Sequence, residues 1–396
     1  MERQLRAMHK AAAQGCAGSQ FQLFSVYNQV GRGAADFVDS LHPQLQSLMT
    51  TPIALSKPIQ HTDRALRGAI FRAPVLTFPP YAFLELAALR PFTLGLGNVN
   101  IDYVEAAKWG LRAAEQGVID AQTNMGGWYS QGKGVEQDLA LSLFWFEKAA
   151  SQGDAEAQML VGMAYGQGAG VATCYVTAIK WLRLSAAQGF AAGQRGLGLA
   201  YKAGHGVEKC LVTAVELFRL SAGQGLAAGQ LSIGVCCFNG EGMARDWSQA
   251  VMWYKKAAAQ GYPEAQANLA RCYMVGDGVN TDFTAAAKLF HKAATQGDVS
   301  AEREIAICYR KGRGVVQDLQ QAVRWYAKGA THGDAECQYQ MGKCFFYGVG
   351  VPKDWYQAAV WFHEYHGDRA DSGYYLAMLY LKGGHGICQD IRLVRK

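Results

Sequence analysis

The chain has 396 residues, more than the roughly 100–200 residues of one ordinary core, so it forms several domains or a repeat array. With 50% hydrophobic and only 18% charged residues, general disorder is excluded. The formal net charge of +6 is small for this length, which argues against a nucleic-acid-binding protein and favours acidic partners only modestly.

The first residues contain neither the apolar run nor the small-residue cleavage site of a signal peptide. No apolar stretch approaches the roughly 18 residues of a membrane span. The ten cysteines are expected to be reduced thiols, because no export signal is evident. We therefore expect a cytoplasmic protein without a membrane span. Since the chain opens in what resembles the middle of a repeat, this expectation leaves room for an N-terminal targeting segment.

Residues 1–33 are predicted to be a degraded copy of a repeat that is clearer further along the chain, with Gln20 and Tyr27 at the expected distances from Gly15. Residues 34–97 lose this pattern, and seven of the nine prolines lie between Pro43 and Pro91. Such a density of proline breaks any long helix. The segment is predicted to be irregular, as a loop-rich insertion, a decayed pair of repeats or a gene-model error.

From residue 98 to residue 396 the chain is periodic. The string A-[AG]-x-Q-G, with a variant in the last copy, recurs every 36 residues and ends at Gly117, Gly153, Gly189, Gly225, Gly261, Gly297 and Gly333. After each of these glycines come Gln or Glu at position five, a small residue at nine, usually Tyr at twelve, Gly at fifteen and seventeen, and often Asp at twenty-one. Trp or Leu lies eight residues before the glycine that ends the next copy of the string. Seven repeats run from 118 to 367, and a partial one covers 368–396.

Each of these columns fits a pair of helices. After Asp154, the residues Ala157, Val161 and Tyr165 lie at helical spacing on one face. The G-x-G pair ends this first helix, Asp caps the second, and the Trp or Leu column is expected in the core. One hairpin buries its apolar faces only by stacking on its neighbours. The sequence therefore predicts an all-α fold, an α/α superhelical solenoid of about 36-residue helix-turn-helix repeats.

These columns resemble the Sel-one-like repeat family. The segments "AEAQMLVGMAYGQGAGV" from Ala155 and "AVMWYKKAAAQG" from Ala250 read like its two anchor strings, and the resemblance covers residues 98–396. It implies a superhelix similar to tetratricopeptide arrays and an adaptor role in which partner proteins are bound. The family is not known as a catalytic one.

Some bacterial members of that family carry a disulfide within each repeat, and this chain departs from that pattern. Four successive repeats have one cysteine eleven residues after the glycine, at Cys236, Cys272, Cys308 and Cys344. Equivalent positions on stacked helices lie about 8–10 Å apart, whereas a disulfide needs roughly 4.4–6.8 Å between Cα atoms. We therefore expect a buried column of reduced thiols.

No catalytic, cofactor-binding or metal-binding residue is predicted. The G-x-G pairs match neither the dinucleotide-binding nor the phosphate-loop pattern and are interpreted as helix ends. His363, Glu364 and His366 fall one residue short of the zinc protease spacing H-E-x-x-H and are expected to be polar surface residues. The chain is therefore predicted not to be an enzyme and to need no cofactor and no metal ion.

Function is expected on the concave face of the first helices, where residues outside the columns select the partner. From the third repeat on, these positions turn basic and aromatic, which suits an acidic segment. The predicted partner-binding residues are Arg195, Lys202, Phe238, Arg271, Arg303, Arg310, Lys311, Lys343, Phe346 and Tyr347. We predict a protein-protein interaction scaffold or adaptor whose partner is a protein or peptide, with acidic chemistry favoured, and not nucleic acid.

The alternative is a secreted or regulatory effector-like module that docks on a host or membrane protein. An upstream signal segment would favour it. The sequence leaves the oligomeric state open.

Overall fold

The computed structural model describes residues 103–365 and 370–382. The predicted degraded repeat 1–33 and the proline-rich segment 34–97 lie outside the described residues and stay predictions. The described residues form sixteen helices and no strand. In chain order the helices are α1 (Tyr103–Glu115), α2 (Ile119–Gln131), α3 (Leu139–Ser151), α4 (Ala155–Gln167), α5 (Tyr175–Ala187), α6 (Ala191–Ala203), α7 (Leu211–Gly223), α8 (Ala227–Asn239), α9 (Trp247–Ala259), α10 (Pro263–Val275), α11 (Phe283–Thr295), α12 (Val299–Lys311), α13 (Leu319–Thr331), α14 (Ala335–Tyr347), α15 (Trp355–Glu364) and α16 (Ala370–Lys382).

The helices fall into two bodies. Of the described residues, the N-terminal body contains 103–200 together with Gly204–Glu208, and the C-terminal body contains Tyr201–Ala203, 209–365 and 370–382. Within each body, every helix packs against the next one along the chain. Even-numbered helices are the first helices of the hairpins, and odd-numbered helices are the second. The prediction of an all-α solenoid of helix-turn-helix repeats is confirmed.

Side-chain caps begin most of the second helices, as predicted. The carboxylates that accept hydrogen bonds from first-turn N–H groups are those of Asp138, Asp246, Asp282, Asp318 and Asp354. The first glycine of each G-x-G pair ends a first helix in the left-handed conformation, for example Gly168 at φ 73°. In α5 and α7 the capping position holds Cys174 or Cys210, whose side chain accepts no such bond.

The small residue within each first helix makes room for a side chain of its own hairpin. A Cβ added to Gly126 would lie 2.5 Å from the ring of Phe146, and one added to Gly342 would lie 2.6 Å from the ring of Phe362. The small residue therefore lets the two helices of a hairpin approach closely, and the space beside it is filled by the residue that follows the Trp or Leu column.

This following residue, rather than the tryptophan, supplies the largest fully buried side chains, among them Phe218, Phe290, Tyr326 and Phe362. Trp109 and Trp145 are buried, whereas Trp181, Trp253, Trp325 and Trp361 are half-buried. These four nevertheless pack against the buried clusters, so the expected core position of the tryptophan column is confirmed, with part of each of these side chains exposed. One face of such an indole is left to solvent and to a basic side chain, since Lys256 Nζ lies 4.4 Å from the ring centroid of Trp253.

The second glycine of each G-x-G pair has a different structural role from the first, because it lies against the preceding repeat. Gly314 has a φ of 72°, and a Cβ there would collide with the backbone carbonyl of Phe283, the first residue of α11. The turn of one repeat therefore rests against the start of the preceding second helix. The interpretation of the pair as a helix end is thus incomplete, because its second glycine makes a contact between successive repeats.

A ladder of buried glutamines also joins the repeats. Gln158 Nε2 donates a hydrogen bond to the carbonyl of Ala150 (3.2 Å), and its Oε1 accepts one from Nε2 of Gln188 (2.8 Å). The same amide pair joins Gln122 with Gln152 in the N-terminal body, and Gln230 with Gln260 and Gln266 with Gln296 in the C-terminal body. Each pair satisfies polar groups that are costly to bury alone.

One rung of this ladder is charged. Glu302 replaces the glutamine and is fully buried, and His332 replaces the partner, with Nδ1 2.9 Å from Glu302 Oε2. Lys328 Nζ lies 3.0 Å from Glu302 Oε1, as an ion pair rather than an aligned hydrogen bond. The same ammonium donates a hydrogen bond to the carbonyl of Ala294 (2.9 Å). In the uncharged repeats the glutamine amide donates the equivalent bond, as Gln158 does to Ala150. We call Glu302, Lys328 and His332 the charged rung.

The predicted cysteine column is confirmed. Cys236, Cys272, Cys308 and Cys344 are buried and are free thiols. They fill small apolar positions of the core, as free cysteine commonly does.

Candidate interaction surface

All ten predicted partner-binding residues lie on first helices, as the columns require. Arg195 and Lys202 lie on α6, Phe238 on α8, Arg271 on α10, Arg303, Arg310 and Lys311 on α12, and Lys343, Phe346 and Tyr347 on α14. Arg195 belongs to the N-terminal body and is half-buried. The other nine belong to the C-terminal body, where their surroundings differ widely.

Two of the arginines are bound to the next repeat. Arg303 Nη1 lies 2.7 Å from Asp334 Oδ2, and Arg310 Nη1 donates to Gln340 Oε1 (3.4 Å). Both guanidinium groups therefore connect α12 with residues at or on the following first helix. Their hydrogen-bonding capacity is partly used within the array, so a partner would have to compete for it.

Three further residues also have contacts inside the C-terminal body. Arg271 Nη2 donates to Ser300 Oγ (2.8 Å), and Lys202 Nζ lies 2.6 Å from Glu241 Oε2. Phe238 is half-buried and packs against the core. The two basic side chains therefore contribute to cohesion between repeats, whatever else they bind.

The remaining four residues form what we call the C-terminal patch: Lys311, Lys343, Phe346 and Tyr347. Lys311 is exposed, and its side chain makes no hydrogen bond or ion pair within the described residues. Lys343 Nζ lies 5.3 Å from the ring centroid of Tyr339. Tyr347 is 57% exposed. Lys311 and Tyr347 end successive first helices, so they occupy the same column of the array.

Helix α16 adds two tyrosines that the sequence analysis missed. The ring centroids of Phe346 and Tyr375 lie 5.1 Å apart, edge to face, and the hydroxyls of Tyr347 and Tyr375 lie 3.1 Å apart. Tyr374 is 61% exposed. The repeat pattern fades in this region, which hid both residues, although the adjacent tyrosines were a visible sign of aromatic packing.

Two thiols differ from the buried column. Cys174 and Cys210 are half-buried, and side-chain hydrogen bonds with Thr177 and Thr213 lower the pKa of each thiol. Burial raises the pKa of the Cys236, Cys272, Cys308 and Cys344 thiols to about 11. Since the thiolate is the reactive form, the two sets should differ in reactivity.

We expect iodoacetamide to alkylate Cys174 and Cys210 in the native protein at least about tenfold faster than the four cysteines of the buried column. Peptide mass spectrometry after timed quenching measures each residue separately. In denaturant, all six should react at similar rates. Equal rates in the native protein would contradict the assigned burial and hydrogen bonding.

The H-E-Y-H segment is engaged in a contact of its own. His363 Nε2 lies 2.7 Å from the hydroxyl of Tyr380, and His366 lies outside the described residues. Within 103–365 and 370–382, no group of three His, Cys, Asp or Glu side chains is arranged to hold a metal ion. No helix of this part of the chain has the length and apolarity to cross a bilayer.

Comparison with known families accounts for the repeat. The model of the Sel1 repeat matches eight consecutive segments, residues 92–118, 119–154, 155–190, 191–226, 227–262, 263–298, 299–334 and 335–364. The chain belongs to the Sel1 repeat family. Sel1 repeat proteins are generally scaffolds for protein interaction, and their solenoid is typically non-catalytic.

Two solved structures of Sel1 repeat proteins are similar to this chain. A Sel1 repeat protein from Oxalobacter formigenes is 30% identical, with a TM-score of 0.57, over 69% of this chain and 80% of that one. A protective antigen of uropathogenic Escherichia coli with an SLR fold is 27% identical, with a TM-score of 0.59, over 96% of this chain and 68% of that one. No curated protein matches the chain significantly.

Proposed function

We propose that this Sel1 repeat protein is a non-catalytic scaffold that binds an acidic segment of a partner protein on the C-terminal patch. The observation that carries the proposal is the combination of an unpaired, exposed Lys311 with the exposed ring of Tyr347 in the same column. Tyrosine supplies a large contact area at low entropic cost, and basic groups beside it favour acidic partners over others.

The patch is smaller than the set of ten residues predicted from sequence. Arg303 and Arg310 contact the next repeat, so changing them would alter the array as well as any binding. The proposal therefore rests on the four patch residues. The cytoplasmic location stays a prediction, as do the acidic chemistry of the partner and the exclusion of nucleic acid.

The test is a charge reversal with a matched control. In Lys311→Glu/Lys343→Glu, affinity for a fluorescein-labelled peptide of glutamates interspersed with tryptophan should fall by about tenfold or more, which corresponds to about 1.4 kcal/mol. Fluorescence anisotropy measures the dissociation constants. Tyr347→Ala should weaken binding without changing its salt dependence, because it removes contact area and no charge.

The control is Lys180→Glu/Lys209→Glu, which changes the same charge at two other exposed lysines. It should bind almost as the unaltered protein does, and circular dichroism should show the same helical content for all variants. If the two charge-reversed proteins lost affinity for the peptide equally, the binding would be general electrostatic attraction, and the proposal would be wrong.

A second candidate is an effector-like module that acts outside the cell. The observation in its favour is the likeness to the Escherichia coli structure, whose protein is described as a protective antigen. Cell fractionation with immunoblotting of the native protein separates the two. Recovery from the culture medium or the cell surface would favour the effector, and recovery from the cytosol would favour the scaffold.

A further inference from the structure

The second helices α9, α11 and α13 of the C-terminal body have an unusual charge balance. Their sequences are WSQAVMWYKKAAA, FTAAAKLFHKAAT and LQQAVRWYAKGAT, with two basic residues in each and no acidic residue in any. The whole chain has 38 basic and 32 acidic residues. The three helices therefore concentrate positive charge far beyond the average of the chain.

Most of this charge is exposed and unpaired. We call Lys255, Lys256, Lys288, Lys292 and Arg324 the basic ladder; all five are exposed. None of them forms an ion pair within the described residues, in contrast to Lys328, which is bound to Glu302. The N-cap carboxylates of these helices are bound to backbone N–H groups.

A stabilising effect on their own helices explains only some of the cations of the basic ladder. Lys256 and Lys292 lie in the last turn, where a cation interacts favourably with the helix dipole. Lys288 and Arg324 are the sixth residues of their helices and gain nothing from it. Lys288 and Lys292 are four residues apart, a spacing at which like charges destabilise a helix.

The sixth position varies among the other second helices. It holds Phe144 in α3 and Glu216 in α7, but Lys108 in α1 and Lys180 in α5, so the repeat architecture accepts a cation there without requiring one. Helix α5 also has two basic residues and no acidic residue, but among the described second helices only α9, α11 and α13 share this composition in succession. A continuous anionic partner would offset the repulsion within the basic ladder.

We propose that the basic ladder is a second docking surface, which takes a polyacidic segment of a protein. Exposed lysines attract carboxylates as point charges, and a net charge of +6 over 396 residues lacks the dense basic character of nucleic-acid-binding proteins. The exposed large apolar side chains of these helices are Trp247, Met252, Phe283 and Leu319. Three of the four are the first residues of their helices, so the cationic part lacks the apolar side chains that would enter a membrane.

This surface is made by second helices and does not depend on the C-terminal patch, which is made by first helices. The two proposals therefore fail separately. A scaffold with both surfaces would hold two acidic segments at once, through different sets of helices.

The test uses a fluorescein-labelled oligoglutamate peptide and the full chain carrying Lys311→Gln/Lys343→Gln, so that the C-terminal patch does not contribute to binding of the peptide. In Lys255→Gln/Lys288→Gln/Arg324→Gln, affinity should fall by about tenfold, because exposed ion pairs are individually weak and three are lost together. The slope of affinity against salt concentration should decrease as well. Thermal unfolding should be almost unchanged, since the three side chains are exposed and form no ion pair within the described residues.

The matched control is Lys180→Gln/Lys209→Gln/Arg219→Gln, which removes three exposed positive charges that lie outside both proposed surfaces. It should change oligoglutamate affinity less than twofold. Equal losses in both variants would overturn the proposal. So would tighter, ladder-dependent binding of phosphatidylserine vesicles, which would assign the surface to a membrane, or of single-stranded DNA, which would assign it to nucleic acid.

Discussion

Replacing Gly314 with alanine should lower the free energy of unfolding of the C-terminal body by about 2–5 kcal/mol. Two costs add up. A residue with a Cβ is strained at the φ of 72° found there, and the added carbon would collide with the carbonyl of Phe283. Backbone atoms yield less than a flexible side chain, so the turn would have to move away from the preceding repeat. Denaturant unfolding followed by circular dichroism measures the loss.

The control for this change is Gly297→Ala. Gly297 has a φ of 91°, and a Cβ there would meet no atom within 4 Å. Its replacement therefore carries only the conformational cost of about 1–2 kcal/mol. The difference between the two variants reports the contact between successive repeats. Equal losses would mean that this contact contributes nothing.

Removing Lys328 is the second change with a large expected effect. In Lys328→Ala the buried carboxylate of Glu302 keeps only the His332 imidazole, and the carbonyl of Ala294 loses its side-chain donor while keeping the N–H of Gly297. Removing one partner of a buried ion pair costs about 3–5 kcal/mol, and we expect the lower end of that range, because Lys328 is itself partly exposed. Hydrogen exchange of α12 to α14 should rise in the same variant.

The neighbouring amide pair, Gln266 with Gln296, is the model for the control background. Glu302→Gln with His332→Gln would reproduce the amide pair of Gln266 and Gln296. The amide at position 302 could then donate to Ala294, as Gln266 does to Ala258 (3.4 Å). In that background Lys328→Ala should cost less than about 1 kcal/mol. The same cost in both backgrounds would show that Lys328 acts by packing rather than by neutralising Glu302.

The sequence predicted which helices carry the candidate surface, but not which of its side chains are free to bind a partner. The columns place Arg303, Arg310, Lys311 and Lys343 on first helices correctly. Arg303 nevertheless binds Asp334, and Arg310 binds Gln340. Whether a basic group is available for a partner depends on the residue about thirty positions further on, which is near in space only after the repeats have stacked.

The sequence by itself determined the helical hairpins, their boundaries and the buried cysteine column. These features follow from interactions among residues near one another in the chain: the caps of Asp138 or Asp318, the left-handed glycine at a helix end, and apolar spacing along one face. The tertiary structure alone decided which ring fills the space beside Gly126 or Gly342, why the second glycine is needed, and how Glu302 is neutralised. Those contacts join residues about twenty or more positions apart, so they are set by how helices pack and not by the local pattern that forms them.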